Sequence, residues 1–559
     1  MHIIQIDKLA LNHGGRVIFS ALDWSIGDHA RMGLIGPNGA GKSSLLKAIT
    51  GEISPFAGTV TRMRGVTIGY LPQEVTLPPN MTLIDAASAL PPALVEVETQ
   101  LRQIETQLAD PTVYSNPVAL SRALDRQERA LTSYAELGGP AHASRVRSTL
   151  AALGFSDADY DLPTETLSGG QKKLVAITCL MLQAPDVLLL DEPDNHLDLE
   201  AKQMLEVVIR SYAGTVIVVS HDRYLLDGVA QSIVELADGK LTIYKGNYTA
   251  YVNEREVQRL RQQQTYIAQQ KEIQRIEAAI TRFEYWARVT EDERHIKQAR
   301  SRRKMLDKME ANGEIIEKVT ERRKMSLQLA GWRGSTKVIE AKALAMAFGD
   351  DLLFDNLNFL VQHGERVGLC GPNGAGKSVL FKLILGEYEP FEGSVRVGPS
   401  VRVGYYSQEH QTLRDWMHRT PIERIRDLTP IGEGEAVAFL GKFLFSYVQT
   451  RQPIATLSGG EQSRLQLACL MLQKPNLLLL DEPTNNLDIA SCEVLENALD
   501  SFEGTVLTIS HDRYFLDQVV DRVLGLDGGV LRTYEGGYTD YVTARDAQSL
   551  NPPLKHSRA

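Results

Sequence analysis

Apolar residues along this chain follow two patterns that alternate with one another. Short unbroken apolar runs, VLLL before Asp191, LLLL before Asp481, TVIVV at 215–219 and TVLTI at 505–509, read as strands buried on both faces of a parallel sheet. ARMGLI and ERVGLC are further runs of this kind, and the stretches SLLKAI and VLFKLI that follow them are helix-like. Elsewhere apolar residues step by three and four, as one face of a helix requires. Leu94, Val97, Leu101, Ile104 and Leu108 do so, and after the turn signal DPTVYSNP so do Leu120, Leu124, Leu131 and Tyr134, with polar Gln127 in the seam. This predicts a helical hairpin over about 90–140. A second helical region has no Gly or Pro between Asn247 and Asn312 and an apolar seam of Ile273, Ile276, Ile280 and Phe283. A turn near VTEDERH (289–295) would fold it back, and roughly 35 helical residues at ~1.5 Å each would extend about 50 Å.

The same patterns occur twice. GPNGAGKS stands at 36–43 and 371–378, LSGG at 167–170 and 457–460, and SHDRY at 220–224 and 510–514. Lys42 to Gln73 and Lys377 to Gln408 are both 31 positions, and Glu192 to His221 and Glu482 to His511 are both 29. YKGNYTAYV and YEGGYTDYV close the two units more loosely. The expected organisation is a duplicated α/β domain, 1–252 and 337–545, joined by a charged α-helical linker at 253–336 and followed by a disordered tail at 546–559.

Composition narrows the setting. Of 559 residues, 43% are hydrophobic and 23% charged, which fits a globular protein, and the formal charge of -10 argues against a uniform coat for nucleic acid. Cys179, Cys370, Cys469 and Cys492 have no CxxC spacing, so a reducing compartment is expected rather than a disulfide or zinc scaffold. With no secretion-like N-terminus and no apolar run near the ~18 residues of a membrane span, a cytoplasmic protein is expected.

The repeated motifs carry phosphate chemistry. GxxxxGK[ST] wraps a loop rich in backbone N–H groups around phosphates, here formed by Gly36, Pro37, Asn38, Gly39, Ala40, Gly41, Lys42, Ser43 and Ser44, and again by Gly371, Pro372, Asn373, Gly374, Ala375, Gly376, Lys377, Ser378 and Val379. Lys42 and Lys377 would reach the β- and γ-phosphates, and Ser43 and Ser378 would ligate Mg²⁺. Asp191 and Asp481, at strand exits beside these loops, would hold the Mg²⁺ shell, and Glu192 and Glu482 would orient or deprotonate the attacking water. The acids could otherwise be helix N-caps, and a lone His in such a place is commonly structural. It is the fixed spacing in both copies that favours γ-phosphate contact for His221 and His511. LSGG offers an N-capping Ser, free N–H groups and access for an anion at Ser168, Gly169 and Gly170 and at Ser458, Gly459 and Gly460.

Together these residues resemble the ATP-binding cassette ATPases over both copies, LSGG being the feature that separates that family from other P-loop proteins. The resemblance implies two composite ATP sites. Lys42, Gln73, Glu192 and His221 would work with Ser458–Gly460, and Lys377, Gln408, Glu482 and His511 with Ser168–Gly170. It also places Gln73 and Gln408 at the metal and Phe348 under the adenine, with His13 in the matching position of the first copy. Leu174 stands where the second signature has Arg464.

DEPDNHLD, DEPTNNLD, SHDRYLLD, SHDRYFLD and the joiner ending KQARSRRKMLDKME are similar to the ABC-F subfamily. That likeness implies an ATPase acting as a ribosome-associated translation factor, a monomer with intramolecular cassette pairing. Its inserted hairpin, or arm, would touch the ribosome, and its joiner would enter the exit-site region beside peptidyl-site transfer RNA. Arg294, Lys297, Arg300, Arg302, Arg303, Lys304 and Lys308 are opposed only by Asp307, and this run could track a phosphate backbone or be a solvated helix. Antibiotic protection of the ribosome is an alternative, although this joiner shows no long extra loop. Another is the ATPase subunit of a transporter, which would need no basic joiner. A DNA-maintenance ATPase would carry longer coiled coils or a zinc hook.

Overall fold

The computed structural model describes residues 2–13, 16–290, 293–311, 325, 327–329, 332–349, 351–407 and 411–550. Each half carries a six-stranded sheet. In the first half its spatial order is Ile68–Leu71, Val187–Asp191, Thr215–Val219, Arg31–Ile35, Ser232–Ala237 and Lys240–Lys245. The second half repeats it as Val403–Tyr406, Leu477–Asp481, Thr505–Ile509, Arg366–Cys370, Arg522–Asp527 and Val530–Glu535. All pairs are parallel except the last in each sheet. Every residue of Val187–Asp191, Thr215–Val219, Leu477–Asp481 and Thr505–Ile509 is buried, which explains their unbroken apolar runs.

A three-stranded antiparallel sheet flanks each core: Arg16–Gly27, His2–His13 and Ala57–Arg62 in one half, Asp351–Gln362, Lys337–Phe348 and Glu392–Val397 in the other. His13 pairs with Arg16 as Phe348 pairs with Asp351, so the two occupy matching backbone positions. Of the His13 side chain nothing is described.

The arm consists of Pro92–Leu108 and Pro117–Glu136, separated by a short helical turn, Pro111–Tyr114. Asp110 and Asn116 cap the helices that follow them, each accepting from a backbone N–H two residues on, at 2.8 and 3.1 Å. Its second seam keeps Leu120, Gln127 and Tyr134 half-buried as expected and departs at two positions. Ala123 and Ala130 are buried, whereas Leu124 and Leu131 are 48% and 51% exposed. Alanine lets the two helix backbones approach closely, and a count of large apolar residues passes over it.

The joiner begins earlier and ends earlier than expected. Its first helix, Tyr248–Thr290, has 43 residues and spans about 65 Å. The returning helix is Glu293–Ala311, and Ile276, Ile280, Phe283 and Ala299 are buried between the two. The expected turn at 289–295 falls partly on 291–292, outside the described residues. Helix does not extend to 336. Met325, Leu327 and Leu329 are non-helical and buried in the core of the second cassette. Alternating apolar residues here read as a strip laid against a neighbour rather than as a helical seam.

The long helix is rooted by tyrosines. Tyr251 packs edge-on to Tyr244 at 4.9 Å between centroids and lies 5.7 Å from Tyr248, so the strand Lys240–Lys245 and the helix share one cluster. Tyr534, Tyr538 and Tyr541 repeat this at the root of the last helix, Tyr538–Leu550. That helix corrects the tail expected at 546–559, because the tyrosine root and the ion pair of Arg545 with Glu200 carry it through 546–550. Residues 551–559 lie outside the described ones.

Tyr251→Ala, which opens a cavity at the joiner's root, should cost about 3 kcal/mol and lower the melting temperature. Leu124→Ser on the arm's exposed face should leave it within about 1 °C. Equal effects of the two changes would contradict this account of what is anchored.

Candidate active sites at the cassette interface

Each phosphate loop joins a central strand to a helix, Arg31–Ile35 to Lys42–Thr50 and Arg366–Cys370 to Lys377–Leu385. The first glycine of each loop cannot be replaced. A Cβ on Gly36 would stand 2.2 Å from the Leu236 carbonyl oxygen, and one on Gly371 would stand 2.1 Å from that of Leu526. Lys42 and Lys377 are buried and donate to loop carbonyls, those of Gly36 and Gly371 both at 2.8 Å. Burial pulls both ammonium pKa values down, against the nearby acids, among them Glu192 at one site and Glu482 at the other.

The acidic strand exits are strained in the same way in both copies. Glu192 and Glu482 have φ of 49° and 52°, left-handed values uncommon for a residue with a side chain. This turns the chain sharply as it leaves the sheet, and the N–H groups of these residues donate to Val219 and Ile509 at 2.8 and 2.9 Å. The Glu192 carboxylate accepts from Gln73 at 2.7 Å and lies 3.8 Å from His221 Nε2. Glu482 accepts from the His511 N–H at 3.1 Å and lies 3.4 Å from His511 Nε2. Burial raises both carboxyl pKa values, Glu482 to about 8, with the adjacent Asp191 or Asp481 adding to the rise. Burial also holds His221 neutral, with a pKa near 3, and keeps His511 well below its ordinary value. The two ring nitrogens of His221 are buried atoms, and neither has a hydrogen-bond partner.

A hard divalent cation fits the oxygen set here. Asp191 is buried and hydrogen-bonded to Ser43 and, at 3.3 Å, to Tyr70, while its Oδ1 has no hydrogen-bond partner. Ser378 and Asp481 line the second site, and Gln408 lies outside the described residues.

Neither site belongs to one half. The first cavity, about 760 Å³, is lined by Lys42, Ser43, Gln73, Glu192 and His221 together with Ser458, Gly459, Gly460 and Arg464. The second, about 340 Å³, brings together Phe348, Lys377, Ser378, Asp481, Glu482 and His511. Its first-cassette wall, among the described residues, is Asp194–Leu197 with Lys202 and does not include Ser168–Gly170. The turns after the two acidic strand exits pack on both signatures alike, the His196 carbonyl 2.6 Å from where a Cβ on Gly170 would be and the Asn486 carbonyl 2.7 Å from one on Gly460. Ser168 and Ser458 cap their helices, accepting from Gln171 and Glu461, and those side chains accept in return from the serine N–H groups at 2.9 and 2.8 Å. Phe348, half exposed, meets Tyr388 edge-on at 5.9 Å.

Residues not singled out in the sequence close the interface. Asp488 Oδ2 accepts from the Asn38 N–H at 3.4 Å, and Asp198 Oδ2 accepts from the Asn373 N–H at 3.3 Å. Arg223 pairs with Glu496 at 3.1 Å and Arg513 with Glu206 at 3.3 Å, each across the halves. Arg223 also stacks on Tyr514 at 4.3 Å and Arg513 on Tyr224 at 5.0 Å. The available signal was repetition itself, since these arginines and tyrosines belong to the duplicated SHDRY.

On the joiner the seven basic residues separate into two groups. Arg303 pairs with Glu284 at 3.1 Å and Arg302 stacks on Phe283 at 4.7 Å, so both hold the hairpin together. Lys297, Arg300, Lys304 and Lys308 are exposed, as is Arg294, which has contacts of its own.

A family model described as ABC transporter matches residues 19–195 and 354–485, and a second of the same description matches 234–329. The putative ATP-binding protein YdiF of Bacillus subtilis is 35% identical over 98% of this chain and 84% of its own length. The energy-dependent translational throttle protein EttA of Haemophilus influenzae is 36% identical over 97% of this chain and 96% of its own. Among solved structures, the archaeal ribosome recycling factor aABCE1, in complex with the ribosomal stalk protein aP1, shares the fold with a TM-score of 0.58 at 18% identity, covering 96% of this chain and 92% of that one. Among the described residues no helix is long and apolar enough to cross a membrane.

A carboxyl whose folded pKa lies above its ordinary value favours folding while protonated, and that contribution is lost as pH rises towards about 8. Glu482→Gln should therefore raise the melting temperature of the nucleotide-free protein by an increment that grows from about pH 6 to about pH 9. A gain independent of pH would mean that Glu482 is ionised throughout.

Proposed function

The chain belongs to the ABC-F branch of the ATP-binding cassette family and is an ATPase, and on that premise we propose that it acts as a ribosome-associated translation factor whose closed, ATP-bound form engages its target. The observation that carries this reading is the pairing of two composite ATP sites with a rooted, basic helical hairpin on one chain. The name of the Haemophilus relative supports a role in translation.

In each site the loop N–H groups and Lys42 or Lys377 hold the β- and γ-phosphates, and the facing half completes the enclosure. The Glu192 or Glu482 carboxylate takes a proton from water as the water oxygen bonds to the γ-phosphorus and the bond to ADP breaks. His221 and His511, neutral and facing these acids, donate to the γ-phosphate. Ser43, Gln73 and Asp191, or Ser378, Gln408 and Asp481, would hold Mg²⁺, which when bound would neutralise phosphate charge. Phe348 offers a face to adenine. ATP binds the closed arrangement more tightly than the open one, so hydrolysis releases closure. Arg223, two residues after His221, reaches Glu496 and lies beside Tyr248 at the joiner's root, which supports a link between site and hairpin.

The exposed Lys297, Arg300, Lys304 and Lys308 support contact with an RNA backbone, transfer RNA in the neighbouring site being the reading carried here. The arm, about 90–140, would lie against the ribosome.

Glu192→Gln with Glu482→Gln should abolish turnover, retain ATP binding and co-sediment with ribosomes in ATP but not in ADP. Failure to co-sediment in either nucleotide would remove the ribosomal reading. Replacing Lys297, Arg300, Lys304 and Lys308 with Ala in that background should weaken co-sedimentation and reduce the slope of log affinity on log salt by about three units. An unchanged slope would place the RNA contact elsewhere.

A further inference from the structure

Among the positions where the two halves differ, two lie buried together at the cassette interface. Asp194 stands where the second half has Thr484, and Lys202 where it has Cys492. Both residues of the first half are buried. Lys202 Nζ lies 3.3 Å from Asp222 Oδ2 and donates at 2.8 Å to the backbone carbonyl of His511, across the cassette boundary. Asp194 accepts from Ser220 Oγ at 2.7 Å, and Ser220 Oγ in turn accepts from the Asp222 N–H at 2.8 Å. A continuous polar chain therefore runs from the strand exit of the first cassette, through Asp222 and Lys202, to the His511 carbonyl of the second.

Lys202 borders both cavities. The groups facing it are acidic: Asp194 and Asp222 from its own half, Asp512 and Glu482 from the other. An ammonium in this place neutralises a buried acidic cluster that would otherwise be costly. The second half has no such group to send back. Its thiol at Cys492 carries no positive charge, and Thr484 only approaches Ser510, at 3.5 Å. Asp194 and Lys202 carry opposite charges where Thr484 and Cys492 carry none, so the pair itself adds no net charge.

We propose that Lys202 is a positioning residue for the ATP site built on Lys377: from the first cassette it holds the backbone of His511, and so makes hydrolysis at that site depend on cassette closure in a way the Lys42 site does not share. This rests on the reading of His511 as a γ-phosphate ligand given above. The two sites are then kinetically unequal, with the charged bridge pointing one way only.

The two single variants Glu192→Gln and Glu482→Gln separate the sites, leaving the Lys377 site and the Lys42 site active respectively. Lys202→Met should lower kcat about tenfold in the Glu192→Gln protein, about 1.4 kcal/mol of lost transition-state stabilisation, while KM for ATP stays within about twofold. In the Glu482→Gln protein the same change should leave kcat within about twofold. Asp194→Thr with Lys202→Cys, which removes the charges together and restores the second half's residues, should fold and give the same contrast. An equal fall in both backgrounds, or none in the Glu192→Gln one, would overturn the proposal. Should His511→Ala leave turnover in the Glu192→Gln protein intact, it is the reading of the histidine that fails, independently of Lys202.

Discussion

Two arginines set the geometry on which the rest of this molecule depends. Arg223 and Arg513 follow the switch histidines, and each crosses to a glutamate on the other cassette while its guanidinium lies on a tyrosine ring. Ion pairs this deeply buried stabilise a structure only when their remaining hydrogen-bonding capacity is met. Here stacking and the bond from Arg513 to Asp222 supply part of that. Their main effect is on specificity: with both pairs in place, the phosphate loop of the first half faces the second signature, and the second loop faces the 194–197 turn. Closure and the assembly of the sites are one event.

The strain at Glu192 and Glu482 fits the same logic. A left-handed residue at the end of a buried strand is unfavourable in isolation, and it persists because an N–H bond to the neighbouring strand and the packing around it fix the turn. The carboxylate is thereby held close to a neutral imidazole in a poorly hydrated place. Burial raises the acid's pKa here as well, at Glu482 to about 8.

Much of this was legible in the sequence, for identifiable reasons. Buried parallel strands require unbroken apolar runs and phosphate loops require particular glycines, and both leave a local signature that duplication makes unmistakable. What was misread depends on contacts distant in sequence or on small residues. The arm closes on Ala123 and Ala130, which no hydrophobic count weights. The joiner's root rests on Tyr244, Tyr248 and Tyr251, visible only as a loose echo. Met325, Leu327 and Leu329 lie along a core whose other members are distant in sequence, from Cys370 onward and at Leu199. Charge was the least readable feature. Arg302 and Arg303 look no different in sequence from Arg300, yet the fold engages them within the hairpin. Lys202 and Asp194 stood out only where one copy departed from the other.

The tyrosine root has a mechanical consequence. The 43-residue helix leaves the first cassette from a packed aromatic cluster rather than from a flexible link, so it turns with that cassette as a rigid beam. A cassette rotation of about 10° would sweep the far end of a 65 Å helix through roughly 11 Å, about the width of a helix with its side chains. Short displacements at the phosphates thus become movements at the hairpin tip comparable to the size of the groups it would have to meet, and the amplification is set by helix length alone.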